Sequence, residues 1–159
     1  MNIKALLKKI EKTNEVMYIK CDFNANLIGV VFDRCMIYWI DRKFVNPPIT
    51  IAETTMDFMD YTCVESIVKY TFNSKLISAH SLDDKRRNVL LLDNRVVVNK
   101  KLLKYIDISK VWFYIEETDA AFCKPVHIYE KDRLIATVMP MRFKKEQIEV
   151  WADKIERIL

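Results

Sequence analysis

The sequence has very little glycine, since Gly29 is the single one among 159 residues. Loops that hold nucleotide phosphates need several glycines, because the backbone itself must approach the phosphate closely. This scarcity excludes phosphate-binding loops of the Walker and dinucleotide types.

Histidine is also scarce, and cysteine pairs are missing. Only His80 and His127 occur, and neither lies in a motif typical of a nucleophile or a metal site. No Cys-x-x-Cys spacing is present, so we expect buried free thiols at Cys21, Cys35, Cys63 and Cys123. We therefore predict that the protein is not an enzyme and has no metal or cofactor.

Long apolar runs are missing as well. No run is long enough to cross a membrane, and residues 1–9 lack the apolar region and cleavage site of a signal peptide. The length corresponds to one domain, and we expect a cytoplasmic protein. The formal net charge of +4 is compatible with nucleic acid as a partner and argues against an acidic mimic of DNA.

The first part of the chain has the pattern of one helix followed by three strands. Ile3, Leu6, Leu7 and Ile10 recur at helical spacing and predict an amphipathic helix over residues 2–12. The β-type runs that follow cover residues 16–21, 27–33 and 35–40.

A middle segment separates this part from the rest of the chain. Its pattern predicts an inserted helix over residues 62–72 and a strand over residues 75–79. Residues 81–88 are the most polar stretch of the chain, and we expect them to form an exposed loop.

The pattern of the first part then returns. The predicted elements are a strand over 89–98, a short helix over 100–106, and strands over 111–116, 122–129 and 134–139. The helices also share letters: Lys-Ala-Leu-Leu-Lys-Lys-Ile begins at Lys4, and Lys-Lys-Leu-Leu-Lys-Tyr-Ile begins at Lys100. This repetition predicts two pseudo-equivalent halves, each with a helix and three strands.

The end of the last predicted strand carries a specific motif, Met139-Pro140-Met141-Arg142, followed by Phe143. Lys124-Pro125-Val126 precedes it, and Leu102-Leu103 lies in the second short helix. Together these residues resemble a domain of the bacterial DNA polymerase sliding clamp (beta clamp), most strongly over residues 89–143. The resemblance implies a single α+β domain with a mostly antiparallel sheet, in which two similar halves each contribute a helix and a group of strands.

The chain departs from the sliding clamp in two respects. It has one clamp-like domain, over residues 1–143, where the bacterial subunit has three. It also continues past Phe143 with a predicted amphipathic helical extension over residues 144–159, which carries Ile148, Trp151, Ala152 and Ile155 on one face.

The two short helices carry lysines on the faces that their leucines leave free. These are Lys4, Lys8, Lys12, Lys100, Lys101 and Lys104. The resemblance implies that these helices face DNA, where lysines would contact phosphates without reading the base sequence. A solvated helix face is the alternative interpretation, because lysine is a good helix former.

The resemblance also implies that Met139, Pro140, Met141 and Arg142 line a pocket for partner peptides. Ordinary core packing of this strand is the alternative interpretation. Trp151 could dock on the chain's own sheet or anchor a partner. The basic cluster Lys85-Arg86-Arg87 could bind phosphate or an acidic partner, or could be a plain exposed loop.

Two functions follow from these observations. The first is a non-enzymatic, clamp-like protein that associates with DNA or with replication or repair proteins. The second is an inhibitor of a host defence nuclease that acts by protein–protein contact, as anti-CRISPR proteins do. Either would suit a phage or a mobile element, because the excess of Lys, Ile and Asn over Gly and Ala indicates an AT-rich genome. The oligomeric state is left open.

Overall fold

The structure, a computed structural model, describes residues 1–13, 17–21, 24–32, 35–45, 51–52, 74–77, 79–84, 87–93, 95–116 and 124–156. It has the mixed α+β fold that the sequence predicts. The strands, in chain order, are β1 (Met17–Lys20), β2 (Leu27–Phe32), β3 (Met36–Asp41), β4 (Ile51–Ala52), β5 (Ser74–Ile77), β6 (Ala79–Asp84), β7 (Arg87–Leu92), β8 (Val96–Asn99), β9 (Trp112–Glu116), β10 (Val126–Glu130) and β11 (Arg133–Val138).

The amphipathic start of the chain forms helix α1, which covers Ile3–Glu11. Asn2 caps it, because the side chain of Asn2 accepts a hydrogen bond from the Ala5 amide at 3.1 Å. Leu6 and Ile10 are buried beneath the helix, as their spacing predicts.

The described strands form two sheets. The large sheet has the order β4-β1-β2-β3-β11-β10-β9-β5, and the small sheet has the order β6-β7-β8. Within the large sheet, β1-β2-β3 and β9-β10-β11 are two antiparallel groups that meet where β3 pairs with β11. The pair of β1 with β4 is parallel.

Strands β2 and β3 lie near the centre of the large sheet and are covered on both faces. Val30, Tyr38 and Ile40 belong to the apolar cluster on one face, and Ile37 and Trp39 belong to the cluster on the other. Coverage on both faces explains why these strands read as continuous apolar runs and do not alternate with polar residues.

The main core lies between the two sheets and the helical segments. It includes Leu6 of α1, Leu90 of the small sheet, Val126 of the large sheet and Leu103 of the connecting segment. The predicted C-terminal helix is present as α2, over Lys145–Glu156, and it packs on the outer face of the small sheet. None of the described helices is long and apolar enough to cross a membrane.

The prediction that residues 81–88 form an exposed loop is wrong. β6 runs to Asp84 and pairs with β7 from Arg87 onward, so the described part of the polar stretch belongs to two paired strands. β6 is an edge strand of the small sheet, and polar residues are tolerated on an edge strand because one of its sides has no partner strand.

The prediction of one strand over residues 89–98 is also wrong, because the chain reverses within it. β7 and β8 are antiparallel partners, and Leu92 lies opposite Val96. Asp93 adopts a positive φ of 47° at the turn, a conformation that Asp and Asn tolerate better than most residues. The Asp93-Asn94 pair was the turn signal in the sequence.

The predicted helix over residues 100–106 is shorter and tighter than expected. Lys100–Leu103 is a 3-10 helix capped by Asn99, and Ile108–Lys110 is a second one capped by Asp107.

Other predictions lie outside the described residues, namely the inserted helix over 62–72 and the thiols of Cys63 and Cys123. The described thiols are those of Cys21, which is buried as expected, and Cys35, which is half-buried.

Candidate nucleic-acid interface

The fold brings the two lysine-bearing segments together, although they are far apart in the sequence. The Asn2 amide, at the start of α1, donates a hydrogen bond to the Tyr105 carbonyl at 2.7 Å. Leu6 and Ile10 share one apolar cluster with Leu103 and Ile106. Both segments therefore lie side by side over the same face of the large sheet.

Tyr38 of β3 holds the second segment in place. Its hydroxyl donates a hydrogen bond to the Leu102 carbonyl, and its ring meets the ring of Tyr105 edge-on at 5.8 Å. A buried tyrosine needs such a partner for its hydroxyl, and here the partner is the backbone of the lysine-bearing segment.

We call the six predicted lysines Lys4, Lys8, Lys12, Lys100, Lys101 and Lys104 the lysine face. Lys100 is half-buried, and the other five are exposed. Within the described part of the chain, no carboxylate pairs with Lys4, Lys8, Lys12 or Lys101. The Lys104 ammonium lies 5.8 Å from the centre of the Tyr105 ring.

The sequence prediction missed one lysine. Lys9 is exposed on α1, as are Lys8 and Glu11. Lys4, Lys8 and Lys12 repeat every four residues, and Lys9 falls outside that repeat. The adjoining Glu11 reduces the local positive charge.

A cleft of about 400 Å³ borders the lysine face, between the start of α1 and the segment around Lys104–Lys110. Its lining residues are Met1, Asn2, Lys104, Tyr105, Ile106, Asp107, Lys110 and Glu130. No pattern in the sequence indicated it, because its walls come from three separate parts of the chain.

The carboxylates of the cleft each have a partner. Glu130 pairs with the amino group of Met1, and Asp107 pairs with the Lys110 ammonium at 3.0 Å. The hydrogen bonds that Asp107 accepts from Ser109 and Lys110 lower the pKa of its carboxyl group, and the hydrogen bond to Asp107 raises the pKa of Lys110.

The Met139–Arg142 motif lies where the two sheets approach each other. The Met139 amide donates to the Cys35 carbonyl at 2.8 Å, and the Met141 amide donates to the Val97 carbonyl at 2.7 Å. Met139 packs on the outer cluster of the large sheet and Met141 on the cluster beneath α2. Pro140 is half-buried and Arg142 is exposed. The motif thus joins the sheets.

Helix α2 covers the neighbouring surface. Trp151 is only 6% exposed, and its ring lies 4.9 Å from the ring of Phe143 in an edge-on arrangement. Ile148 is buried in the same cluster, with Val89, Leu91 and Val97 of the small sheet. Of the two interpretations of Trp151, the structure therefore shows docking on the chain's own sheet.

The basic cluster at residues 85–87 lies only partly within the structure. Arg87 is the first residue of β7, and Lys85 and Arg86 lie outside the described residues.

His127 is part of a buried hydrogen-bonded group. The Trp39 indole donates to the Thr137 hydroxyl oxygen at 2.9 Å, and this oxygen lies 3.2 Å from Nδ1 of His127. Burial lowers the pKa of His127 from 6.5 to about 4. Its position inside the sheet is that of a structural residue. Among the residues that the structure describes, no group of three or more His, Cys, Asp or Glu could hold a metal ion.

A scan against protein-family models found no match to this chain. Searches of curated proteins and of solved structures also found none.

Proposed function

We propose that the protein is a non-enzymatic, clamp-like binding protein that associates with DNA through the lysine face. The observation that carries the proposal is the contact between α1 and residues 102–106, which collects lysines from two distant segments on one side of the large sheet. Such a group of lysines, five of them exposed, gives affinity for phosphates without recognition of base sequence.

The arrangement of the large sheet supports the clamp-like part of this proposal. Helix α1 precedes β1-β2-β3, and the 3-10 turns of residues 100–110 precede β9-β10-β11. The two groups of strands run outward from the β3–β11 pair in mirrored order. We interpret them as two pseudo-equivalent halves, and we propose that a phage or a mobile element encodes the protein.

DNA binding tests the proposal when it is measured as fluorescence anisotropy of a labelled duplex at several salt concentrations. The logarithm of the affinity should fall linearly with the logarithm of the salt concentration. The double variant Lys100→Glu with Lys104→Glu should reduce the magnitude of this slope by about 2, because each lost phosphate contact removes about 1.

Lys144→Glu with Lys154→Glu is the matched control. It changes the net charge by the same amount, and both lysines are exposed in or beside α2, away from the lysine face. An equal loss of affinity in both double variants would show that only net charge matters. That result, or the lack of any salt-dependent binding, would refute the proposal.

One observation favours the second candidate, an inhibitor of a host defence nuclease. Trp112 of β9 is 54% exposed, and it lies opposite Tyr129 in the sheet. Exposed tryptophans often anchor protein–protein interfaces. A purified defence nuclease should then be inhibited by the wild type and by Val150→Ala, which changes another exposed apolar residue, but not by Trp112→Ala. Equal inhibition by both variants would exclude Trp112 as the anchor.

A further inference from the structure

The cleft beside the lysine face has the size of a ligand site. Its volume of about 400 Å³ lies in the range of roughly 300–1,000 Å³ that small-molecule sites occupy. Tyr105 lines it together with several charged residues. An aromatic residue next to charged groups is typical of sites that orient a small polar ligand.

The cleft has one cation without a matching anion. Lys110 is paired with Asp107, and Glu130 is paired with the amino group of Met1. Within the described residues, no carboxylate pairs with Lys104, whose ammonium lies near the Tyr105 ring. An anionic ligand would therefore meet Lys104 without first displacing a carboxylate.

We infer that the cleft binds a nucleoside phosphomonoester, either as a free nucleotide or as the phosphorylated end of a DNA strand. Lys104 contacts the phosphate, and Tyr105 lies against the sugar or the base. The inference rests on the proposed function, since Lys104 also belongs to the lysine face that draws DNA to this side of the protein. A terminal phosphate suits the cleft better than an internal one. It carries more negative charge near pH 7, and a duplex is too wide to enter.

The test makes two comparisons. Fluorescence anisotropy at constant salt compares the affinity of single DNA strands of the same sequence with and without a 5′-phosphate. Calorimetry compares the affinity of deoxyadenosine monophosphate with that of deoxyadenosine. The phosphorylated ligand of each pair should bind about tenfold more tightly, since its phosphate adds a charge-assisted hydrogen bond to Lys104. A preference in the strand pair alone identifies strand ends as the ligand. A preference in the nucleoside pair identifies free nucleotides.

Two variants separate the cleft from the rest of the lysine face. Lys104→Gln should abolish the preference for the phosphate. Lys8→Gln, which lies on α1 outside the cleft, should weaken both strands equally and keep the preference. Both lysines are exposed, so neither substitution disturbs the core.

Equal affinity for the phosphorylated and unphosphorylated ligand in both pairs overturns the inference. If DNA then still binds with the expected salt dependence, the proposed function stands without the cleft. If no DNA binds at any salt concentration, the proposed function fails, and only a preference for the free nucleotide would preserve the cleft as a site.

Discussion

At the scale of single residues, Gly29 lies where neighbouring side chains leave no room for a larger residue. A methyl group at this position would lie 2.5 Å from Ile19 Cγ1 and 2.9 Å from Trp39 Cζ3. Trp39 cannot easily move away, because its indole is hydrogen-bonded to Thr137. We expect Gly29→Ala to lower the free energy of unfolding by about 1–3 kcal/mol, measured by urea denaturation.

Ile19 provides the control for this prediction. Ile19→Ala removes the nearest atom, so the double variant should lose less stability than the sum of the two single losses. Strict additivity would show that the methyl group does not meet Ile19.

His127 gives a pH dependence at the same scale. Its pKa is about 4 in the folded protein and 6.5 in the unfolded chain, so the unfolded chain binds the additional proton between these values. The contribution of His127 to the free energy of unfolding should therefore be fully present above pH 6.5. It should be lost as the pH decreases toward 4, which lowers the stability by roughly 3 kcal/mol.

His127→Gln tests this effect, because glutamine can still bond to Thr137 but does not titrate. Urea denaturation from pH 7 to pH 4 should show a shallower loss of stability in the variant than in the wild type. Parallel curves would mean that His127 is not held neutral by burial.

At the scale of elements, α2 is held by the burial of Trp151 on the small sheet. We expect Trp151→Ala to cost about 3–5 kcal/mol of stability, the usual effect of removing a buried tryptophan. Val150, the adjacent residue, is 53% exposed, so Val150→Ala should change stability by less than about 0.5 kcal/mol. Similar unfolding midpoints for the two variants would contradict the docking of α2.

The hairpin between β10 and β11 is a second test at this scale. Lys131 has a positive φ of 56° in the turn, and Asp132 does not. Lys131→Gly should stabilise the protein by about 1 kcal/mol, because glycine adopts this conformation without steric cost. Asp132→Gly should not stabilise it. Thermal unfolding of the two variants measures the difference. A gain from both would contradict the explanation by positive φ, because glycine otherwise costs stability by increasing the conformational entropy of the unfolded chain.

At the scale of the whole molecule, the core connects all the parts. Leu6 of α1, Leu90 of the small sheet, Leu103 and Val126 of the large sheet belong to one cluster. We therefore expect a single cooperative unfolding transition, with the same midpoint by far-UV circular dichroism and by tryptophan fluorescence. Two transitions would show that the small sheet and the large sheet are independent units.

The spacing of apolar residues predicted the elements in which that spacing matches the side chains that are buried. α1 follows from Leu6 and Ile10, and β2 and β3 follow from continuous apolar runs. The errors occurred where a partner strand decides the structure. Residues 81–84 are mostly polar but pair with β7, and the run of residues 89–98, predicted as one strand, reverses at Asp93.

The candidate site was only partly predictable for the same reason. The lysines of α1 and of residues 100–104 were visible in the sequence, but the contact between Asn2 and Tyr105 was not. The cleft has no local pattern, since Lys104, Glu130 and Met1 come together only in the folded chain.

The sequence by itself determined the class of fold, the order of most elements and which face of α1 is buried. These depend on side-chain spacing within one helix or strand, which is a local property. The tertiary structure decided the hairpin of the small sheet, the docking of α2 over Met141, and the assembly of the lysine face beside a cleft. These depend on hydrogen bonds and apolar contacts between residues far apart in the chain, whose pairing no local spacing specifies.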